Sequence, residues 1–389
     1  MAAGAVTRPL TVVVLIDALG WSYVRNSDFL ADILPHRQAL RTVLGFSSGA
    51  IPTLLTGKPP VETGHWNLFY YDPAHSPFRW LRPFRALPSP LLDNRYARAI
   101  LKRIGRRWLG LGPLFECSVR PSLLPWFNFV EKKDIYAPEG ITGAASIFDG
   151  LRRKGVPYQT YSYRQGTDAE LLCQAKADFA SGDSSFFFVY LCEMDSFLHG
   201  HCADPHQVQA RLSWYEKQLR DLVGAARQAD EHAVIAVVSD HGMAPITSHY
   251  DLVKDIDGLG LRTPDDYLAV YDSTMARFWF FTAAARQAIE NVLQRVRCGH
   301  LLADDELHNL GIFFADRRYG EAVFLLDPGC IVAESDFNGS SWRPVGMHGY
   351  HPDDPNSDAI FLCNLPPAVP LRSIADVCPW MEETLGLRA

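Results

Sequence analysis

Asp240 and His241 stand side by side directly after the apolar run of residues 233–238. Continuous β-branched runs of this kind predict a buried strand, and open α/β sheets bind ligands just beyond the carboxyl ends of their strands. Adjacent side chains on an extended strand point to opposite faces, so the pair can serve one ion only where the strand gives way to a loop. The position of the pair therefore indicates a metal site at the edge of a sheet.

Further carboxylate and imidazole residues occur in similar settings. Asp17 ends the first apolar run of the chain, where a carboxylate is costly unless a metal ion or a helix N-terminus satisfies it. Asp195 and His199 follow the strand-like run 186–191, and their spacing places both on one face if the segment is helical. His348 is flanked by glycines that let the backbone approach a ligand closely. Taken alone, each residue is more often a polar group that is hydrogen-bonded within the protein than a metal ligand.

Ser47 offers a hydroxyl group just before the predicted helix 51–55. The free N–H groups and the dipole of a helix N-terminus favour an anion, so this setting suits a nucleophile that attacks phosphorus. Ordinary N-capping is the alternative interpretation. With Ser47 included, the candidate ligands suit two zinc-like ions, and they are Asp17, Ser47, Asp195, His199, Asp240, His241 and His348. Two ions roughly 4 Å apart would activate the nucleophile and stabilise the leaving oxygen of a displacement at phosphorus.

The elements that must hold these residues alternate between short apolar runs and amphipathic segments. This order is typical of an α/β fold with a mostly parallel central sheet flanked by helices. Strands are predicted at residues 10–16, 42–46, 158–163, 186–191, 233–238 and 359–363. Helices are predicted at residues 51–55, 145–154, 206–229 and 282–297.

We interpret residues 1–389 as one catalytic domain that carries two insertions. Residues 66–140 are rich in proline, arginine and aromatic side chains, whereas residues 248–345 contain a strand at 276–281 and a helix at 286–297 and predict a small α+β unit. Both insertions would emerge near the carboxyl ends of the core strands, where insertions usually shape substrate access. We therefore expect them to form a cap or lid.

Composition narrows the class of protein. The net charge of −7 argues against general nucleic-acid binding, although residues 66–154 hold fifteen basic against seven acidic residues. The eight cysteines form no C-x-x-C pair, so we expect reduced thiols and a cytoplasmic location. The apolar stretch 12–16 is too short to span a bilayer and predicts a first core strand rather than a signal peptide.

A basic amphipathic helix is predicted within the first insertion. Its apolar residues recur every three to four positions, at Leu92, Tyr96, Ile100, Ile104, Trp108 and Leu111. Its basic residues are Arg95, Arg98, Lys102, Arg103, Arg106 and Arg107. We expect this helix to pack on its own domain; docking on an anionic membrane or lipid substrate, or service as a phosphate-attracting lid, are the less favoured alternatives.

Taken in order, these motifs resemble the alkaline phosphatase superfamily, and most closely its type I phosphodiesterase/nucleotide pyrophosphatase branch. The resemblance rests on VLIDALG at 14–20, SSGAIPTLLTG at 47–57, GHWN at 64–67 running on to YDP at 71–73, EMD at 193–195 with His199, SDHGM at 239–243 and GMHGY at 346–350. It covers about 200 residues of the core and leaves the two insertions uncovered. The combination is far more specific than any single motif.

The resemblance implies a role for each of these residues. Its nucleophile stands ten residues before the glycine of a Thr-Gly pair, which here is Ser47 before Gly57. It implies one zinc ion on Asp17, Ser47, Asp240 and His241, and a second zinc ion on Asp195, His199 and His348. A phosphoserine intermediate would form and be hydrolysed by water activated at the second metal, with net retention at phosphorus.

Departures from the family pattern leave the reaction less defined. Such phosphodiesterases usually have threonine as the nucleophile and an asparagine three residues later, whereas this chain has Ser47 and Ala50. Orientation of the phosphate would then fall to Asn67 or to an arginine of the first insertion. Sulfatases carry an arginine where this chain has Ile51, so sulfatase activity is not expected, and cofactor-independent phosphoglycerate mutases have a large domain after the nucleophile that is not evident here.

We expect hydrolysis of a phosphodiester or pyrophosphate bond in a small phosphorylated substrate, such as a nucleotide or nucleotide conjugate. The alternatives are a phosphomonoesterase acting on a small phosphorylated metabolite, a lipid-headgroup phosphodiesterase, and a catalytically silent binding protein. Aromatic residues of the first insertion would stack a nucleotide base or merely pack a lid, and they are Trp66, Phe69, Tyr70, Phe78, Trp80, Trp126 and Phe127.

Overall fold

The computed structural model describes residues 8–86, 93–111, 119–336 and 343–388. The strands are β1 Thr11–Ile16, β2 His36–Leu40, β3 Phe69–Tyr71, β4 Phe127–Phe129, β5 Tyr158–Tyr161, β6 Phe186–Leu191, β7 Val234–Val238, β8 Ala244–Pro245, β9 Ser248–Tyr250, β10 Tyr267–Asp272, β11 Met275–Phe280, β12 Gly299–Leu301, β13 Ala322–Leu326, β14 Cys330–Val332, β15 Gly346–Met347 and β16 Ala359–Cys363. The α-helices are Trp21–Val24, Ser47–Thr56, Pro60–Thr63, Arg95–Trp108, Ile147–Lys154, Asp168–Phe179, Glu193–His201, Pro205–Ala229, Leu252–Asp257, Ala283–Leu293, Asp304–Asn309 and Val377–Thr384. The 3₁₀ helices are Arg79–Ala86, Leu124–Trp126 and Ile374–Asp376.

The central sheet has the strand order β2-β16-β7-β1-β6-β5. Strands β5, β6, β1 and β7 pair in parallel, whereas β16 pairs antiparallel with both β7 and β2. Within this sheet β16 is therefore the reversed strand, and the predicted α/β fold with a mostly parallel sheet is confirmed. Val12 and Val14 pack under the helices on one face, and Val13 and Leu15 pack under those on the other, as expected for strands buried on both sides.

The predicted strand at residues 42–46 is wrong. The edge strand is β2, whose sequence HRQAL is mostly polar and half-exposed and therefore lacks an apolar signal. Residues 42–46 instead turn toward the helix that begins at Ser47, because Gly45 has a φ of +122° that breaks the extended conformation. The other predicted strands and helices are present with bounds shifted by a few residues, and the helix expected at 51–55 begins earlier, at Ser47.

A second sheet lies within the region predicted as the second insertion. Its strand order is β10-β11-β13-β12, and neighbouring strands are antiparallel. Leu268 and Trp279 pack against the first insertion, whereas Ala269 and Phe278 pack on the side of the helix Ala283–Leu293. The second sheet thus lies between the first insertion and that helix, while the role of either insertion as a cap or lid stays a prediction.

The basic helix is present at Arg95–Trp108, and it packs on its own domain as expected. Leu101 and Gly105 are its buried residues, and Ile104 and Leu111 of the predicted apolar stripe pack in the same cluster, so the packed face agrees with that stripe only in part. Of that stripe, Tyr96, Ile100 and Trp108 are 66%, 60% and 76% exposed, and Leu92 lies outside the described residues. In the described part of the chain, no helix is both long enough and apolar enough to cross a membrane.

Candidate active site

The predicted metal ligands come from three neighbouring strands of the central sheet. Asp17 follows β1, Asp195 follows β6 and Asp240 follows β7, and the carboxyl ends of these parallel strands meet at one edge. His199 lies one helical turn beyond Asp195 in the helix Glu193–His201. His348 follows β15, a short strand held antiparallel to β8 just after the Asp240 loop. The topology therefore brings together residues that are widely spaced in the sequence.

Ser47 is the first residue of the helix Ser47–Thr56, where the leading N–H groups have no acceptor within the helix. Its Oγ lies 3.0 Å from Nε2 of His241 and donates to Oδ1 of Asp17 at 3.4 Å. A hydroxyl at the positive end of a helix dipole, beside a carboxylate and an imidazole, is well placed to become an alkoxide nucleophile.

Trp66 fixes the turn that precedes the nucleophile. Its indole Nε1 donates to the carbonyl oxygen of Leu44 at 2.7 Å, and its carbonyl accepts from the Ser48 hydroxyl at 3.0 Å. A Cβ added at Gly45 or Gly49 would lie 2.8 or 2.9 Å from atoms of Trp66, so glycine is required for this approach. Trp66 is fully buried and packs the nucleophile turn, which makes the suggestion that it stacks a nucleotide base wrong.

Asp17, Asp240 and His241 form the first group of candidate ligands. Nε2 of His241 lies 3.4 Å from Oδ1 of Asp17 and 3.3 Å from Oδ2 of Asp240. Nδ1 of His241 donates to the carbonyl oxygen of Gly242 at 2.9 Å, which leaves the lone pair on Nε2 facing the carboxylates. The predicted first metal set, completed by Ser47, is thus assembled within contact distance.

Asp195, His199 and His348 form the second group of candidate ligands. Nε2 of each histidine lies 3.4 Å from Oδ1 of Asp195. The Nδ1 of His199 donates to the carbonyl oxygen of Gly346 at 2.8 Å, which again turns Nε2 toward the carboxylate. Ligand atoms of Asp195, Asp17 and His241 also lie within 4.8 Å of one another, so Asp195 stands between the two groups.

The donor atoms of both groups suit divalent cations. Oδ1 of Asp195 and Oδ2 of Asp240 are buried and make no hydrogen bond to the described residues. Burying unpaired carboxylate oxygens is costly, and a cation held between them would remove that cost. Burial, together with the nearby carboxylates of Asp240 and Asp195, raises the pKa of Asp17 well above its ordinary value, as expected where cationic charge is required. Carboxylate and imidazole donors, three in each group, are typical zinc ligands.

His348 is the imidazole of the second group whose protonation is most affected by burial. Burial and the neighbouring His241 ring lower the pKa of His348 well below its ordinary value, so this histidine is neutral and able to donate a lone pair. The His241 and His348 rings stack with centroids 3.9 Å apart. Burial opposes ionisation of Asp195, yet the neighbouring imidazoles, of which His199 contributes most, outweigh it and hold the pKa of that carboxyl below its ordinary value.

A cavity of about 240 Å³ opens beside Ser47, Asp195, His199 and His348. One wall is apolar and aromatic, and it consists of Phe46, Ile51, Leu68, Phe69, Ile135 and Tyr136. The other polar residues of the lining include Asn67, Glu131 and Asp272, so the predicted substrate contact Asn67 lies at the cavity. Among the described residues, the lining contains no lysine or arginine. The cavity therefore suits a ligand part that is apolar or aromatic.

Most of the aromatic residues proposed as base-stacking partners lie elsewhere. Phe69 lines the cavity, whereas Phe78 and Phe127 are buried in a hydrophobic cluster and Trp80 is exposed. Tyr70 and Trp126 are absent from the lining as the described residues define it. Tyr136 is an aromatic residue of the cavity wall that the sequence did not indicate. It lies in a loop, and its ring stacks on that of Tyr190 with the ring centroids 5.4 Å apart.

Two further polar residues of the site were missed by the sequence analysis. Tyr190, the polar residue of the otherwise apolar strand β6, donates its hydroxyl to Oδ2 of Asp17. Glu131 lies in the first insertion and is buried at the cavity, where burial raises its pKa to about 7 against a smaller opposing effect of Arg164. A tyrosine among strand phenylalanines was a weak signal for Tyr190, and nothing in the sequence marked Glu131.

Comparisons with known proteins agree with this geometry. A family model described as type I phosphodiesterase/nucleotide pyrophosphatase matches residues 11–351. The solved structure of human ectonucleotide pyrophosphatase/phosphodiesterase 5 is similar, with a TM-score of 0.71, 14% sequence identity and coverage of 98% of this chain and 96% of that chain. The murine protein of the same name, solved as an inactive form in complex with AMP, gives a TM-score of 0.70 at 16% identity with the same coverage. No curated protein sequence matches the chain.

Proposed function

The chain belongs to the type I phosphodiesterase/nucleotide pyrophosphatase family and is a hydrolase of phosphoric ester bonds, and we propose that it cleaves a phosphodiester or pyrophosphate bond by attack of Ser47 on phosphorus. The observation that carries the proposal is the position of the Ser47 Oγ. It lies at a helix N-terminus, 3.0 Å from His241 and 3.4 Å from Asp17, beside a cavity that accepts a small ligand. A binding module would have no need of a hydroxyl held in this way.

The reaction takes place in two displacements. In the first, the Ser47 oxygen bonds to phosphorus while the bond from phosphorus to the leaving oxygen breaks, and the hydroxyl proton ends on the leaving group. In the second, water cleaves the bond between phosphorus and the serine oxygen and restores the hydroxyl. The leading N–H groups of the helix Ser47–Thr56 are placed to bind the phosphoryl oxygens through both steps.

Residues around the candidate ligands fix the orientation of the ligand side chains during these steps. Tyr190 holds Asp17, and the carbonyl oxygens of Gly242 and Gly346 hold the rings of His241 and His199. Two zinc ions are proposed here, each on one ligand group; when bound, they would supply positive charge that favours the serine alkoxide and neutralises the phosphoryl oxygens. The family is metal-dependent, and carboxylate oxygens of Asp195 and Asp240 that make no hydrogen bond to the described residues support this part of the proposal.

The cavity favours a diester over a monoester. A phosphomonoester carries a second negative charge near neutral pH, and in the described part of the chain the lining has no lysine or arginine to receive it. Glu131 and Asp272 add carboxyl groups to the same lining. The aromatic wall suits a planar leaving group or a nucleobase, and a murine neighbour was solved with AMP, which supports a nucleotide or nucleotide conjugate as the substrate class.

Turnover of matched aryl esters tests the proposal. The purified protein, with its metal content measured, is assayed on an aryl phosphodiester and on the corresponding aryl phosphomonoester. We expect two zinc ions per chain and a kcat/KM for the diester at least tenfold above that for the monoester. A preference for the monoester would favour the phosphatase alternative. Failure to turn over either ester with zinc bound would favour a binding protein. A panel of nucleotide sugars, dinucleotides and phospholipid headgroups would then define the leaving group.

We also propose that the protein works in a reducing compartment, as the cytoplasm is. In support, the seven cysteines within the described residues are free thiols rather than disulfides. Cysteine alkylation of native protein purified under non-reducing conditions, followed by mass spectrometry, should label the exposed Cys173 and show no cystine. Recovery of disulfide-linked peptides would contradict this expectation.

A further inference from the structure

The helix Arg95–Trp108 turns an unusual set of side chains toward solvent. Within the described residues, four of the five exposed aromatic residues lie between positions 80 and 108, and these are Trp80, Phe84, Tyr96 and Trp108. Ile100 is exposed as well. Burial of such side chains is favourable, so a cluster of this kind marks a surface that contacts something other than water.

Four exposed side chains of the helix lie on one narrow face. At 100° per residue, Tyr96, Ile100, Arg103 and Arg107 fall within an arc of about 60°, and Leu101 lies outside it on the packed side. Arg103 and Arg107 are themselves exposed. Trp108 lies about 80° outside this arc, on the side of Leu101, but it is the last residue of the helix and is 76% exposed. We name these four residues, together with Trp108 at the exposed end of the helix, the basic aromatic face; its members are Tyr96, Ile100, Arg103, Arg107 and Trp108.

The 3₁₀ helix Arg79–Ala86 extends the same surface. Its Leu81 is buried in the hydrophobic cluster that also holds Leu101 of the longer helix, so both segments pack on one part of the domain. Its Trp80 and Phe84 remain exposed. The apolar side chains of the two segments therefore lie on neighbouring parts of the first insertion.

Charge indicates the partner of this surface. The helix Arg95–Trp108 contains six basic and no acidic residues, although the whole chain has a net charge of −7. An anionic surface would attract this face and repel the remainder of the chain, which fixes the orientation of approach. Tryptophan and tyrosine rings prefer the boundary between lipid headgroups and acyl chains, and arginine beside them binds lipid phosphate.

We propose that the basic aromatic face docks the protein on the surface of an anionic lipid bilayer. Arg103 and Arg107 contact lipid phosphate and carboxylate groups while Tyr96, Ile100 and Trp108 enter the interface. The helix lies in the plane of the membrane, because its opposite side stays packed through Leu101 and Gly105. Binding is reversible and sensitive to salt, since it depends on a few side chains and on charge. The proposal stands apart from the reaction at Ser47.

Co-sedimentation with vesicles tests this proposal on the full-length protein. Vesicles of phosphatidylcholine alone are compared with vesicles that contain phosphatidylserine as well, at low and at high salt. We expect binding to the anionic vesicles at low salt, at least a tenfold weaker partition coefficient for Arg103→Glu/Arg107→Glu, and a separate weakening for Trp108→Ser. All three substituted residues are exposed, and unchanged circular dichroism and thermal midpoint would show that the variants fold.

Arg295→Glu/Arg297→Glu is the matched control. Both arginines are exposed, and they follow the helix Ala283–Leu293, which packs on the opposite side of the second sheet from the first insertion. The control changes the net charge by the same amount, so it should bind anionic vesicles nearly as the native protein does. Equal loss in both double variants, or no binding to anionic vesicles, would overturn the proposal. Binding of duplex DNA that matches vesicle binding and is insensitive to Trp108→Ser would also overturn it.

Discussion

The Oγ of Ser47 lies 3.0 Å from Nε2 of His241, although 194 positions separate the two residues in the chain. Ser47 begins a helix and His241 follows a central strand, so the contact joins two elements of the core rather than two mobile loops. Because both residues are held by the fold, the hydroxyl and the imidazole nitrogen of His241 lie together before any substrate binds. Preorganisation of this kind lowers the cost of reaching the transition state.

Ser47→Ala should lower kcat by at least about 1,000-fold, because it removes the attacking oxygen. Hydrolysis of an aryl phosphodiester, with zinc content measured on the same sample, checks this expectation. Ser48→Ala is the matched control: its hydroxyl donates to the Trp66 carbonyl oxygen rather than to a metal ligand, so turnover should stay within about tenfold of the native value. Intact hydrolysis in Ser47→Ala would show that another group attacks phosphorus.

Asp240→Asn should abolish turnover without unfolding the sheet. Oδ1 of Asp240 accepts from the backbone N–H groups of Ala18 and His241, and an asparagine oxygen can keep both hydrogen bonds. Oδ2, which makes no hydrogen bond to the described residues, becomes an amide nitrogen that cannot bind a cation, so metal content should fall by one ion per chain. Elemental analysis and circular dichroism measure the two effects, with the exposed Asp221→Asn as control. Full metal content in Asp240→Asn would mean that this carboxylate is not a ligand.

Tyr190→Phe should weaken activity or zinc affinity by about 10- to 100-fold, since the hydroxyl that orients Asp17 is lost. The ring packing against Tyr136 is retained in this variant. Tyr161→Phe is a matched control, because that buried hydroxyl donates to Asp178 and not to a site residue. Competition with a zinc chelator gives the affinity of each variant. Equal activity and equal zinc affinity in the two variants would show that the Tyr190 hydroxyl does not contribute to the site.

Glu131→Gln should change how stability depends on pH. Burial raises the pKa of Glu131 to about 7 from an ordinary value of 4.5, so between these pH values the folded protein holds a proton that the unfolded chain has released. The free energy of unfolding is therefore highest below pH 4.5 and falls as the pH rises toward 7, by about 3 kcal/mol from this group.

Urea unfolding at pH 5 and at pH 8 measures that contribution. The loss of stability between the two pH values should be smaller in Glu131→Gln than in the native protein, because glutamine does not ionise. The exposed Glu231→Gln should leave the difference unchanged. An identical pH dependence in the native protein and in Glu131→Gln would show that Glu131 ionises normally in the folded state.

The sequence predicted the parts of the site that follow strong apolar runs. Asp17 and Asp240 come shortly after continuous apolar strands, and Asp195 lies in the first turn of the helix that follows such a strand. The three strands are neighbours in the central sheet. The edge strand β2 was missed because its residues are mostly polar and give no apolar pattern. Residues 42–46 were wrongly predicted as a strand because the positive φ of Gly45 ends the extended conformation there. Neither the pairing of a polar edge strand nor the turn at Gly45 can be predicted from local composition.

Residues that reach the site through packing were beyond prediction. Tyr190 meets Asp17 because β1 and β6 pair in a register that sets Tyr190 opposite Leu15, and register is decided by the whole sheet. Glu131 enters the cavity through the fold of an insertion that has no strong periodic pattern. The packed face of the helix Arg95–Trp108 was predicted only in part: Ile104 of the predicted stripe packs in the same cluster as Leu101, whereas Tyr96 and Ile100 are exposed.

The stereochemical course at phosphorus tests the central claim most directly. A phosphorothioate diester that is chiral at phosphorus is hydrolysed in ¹⁸O-labelled water, and the configuration of the product is determined. Attack by Ser47 followed by attack of water inverts phosphorus twice, so we expect net retention. Net inversion would mean that water attacks the substrate in a single displacement, and it would contradict a role for Ser47 as the nucleophile.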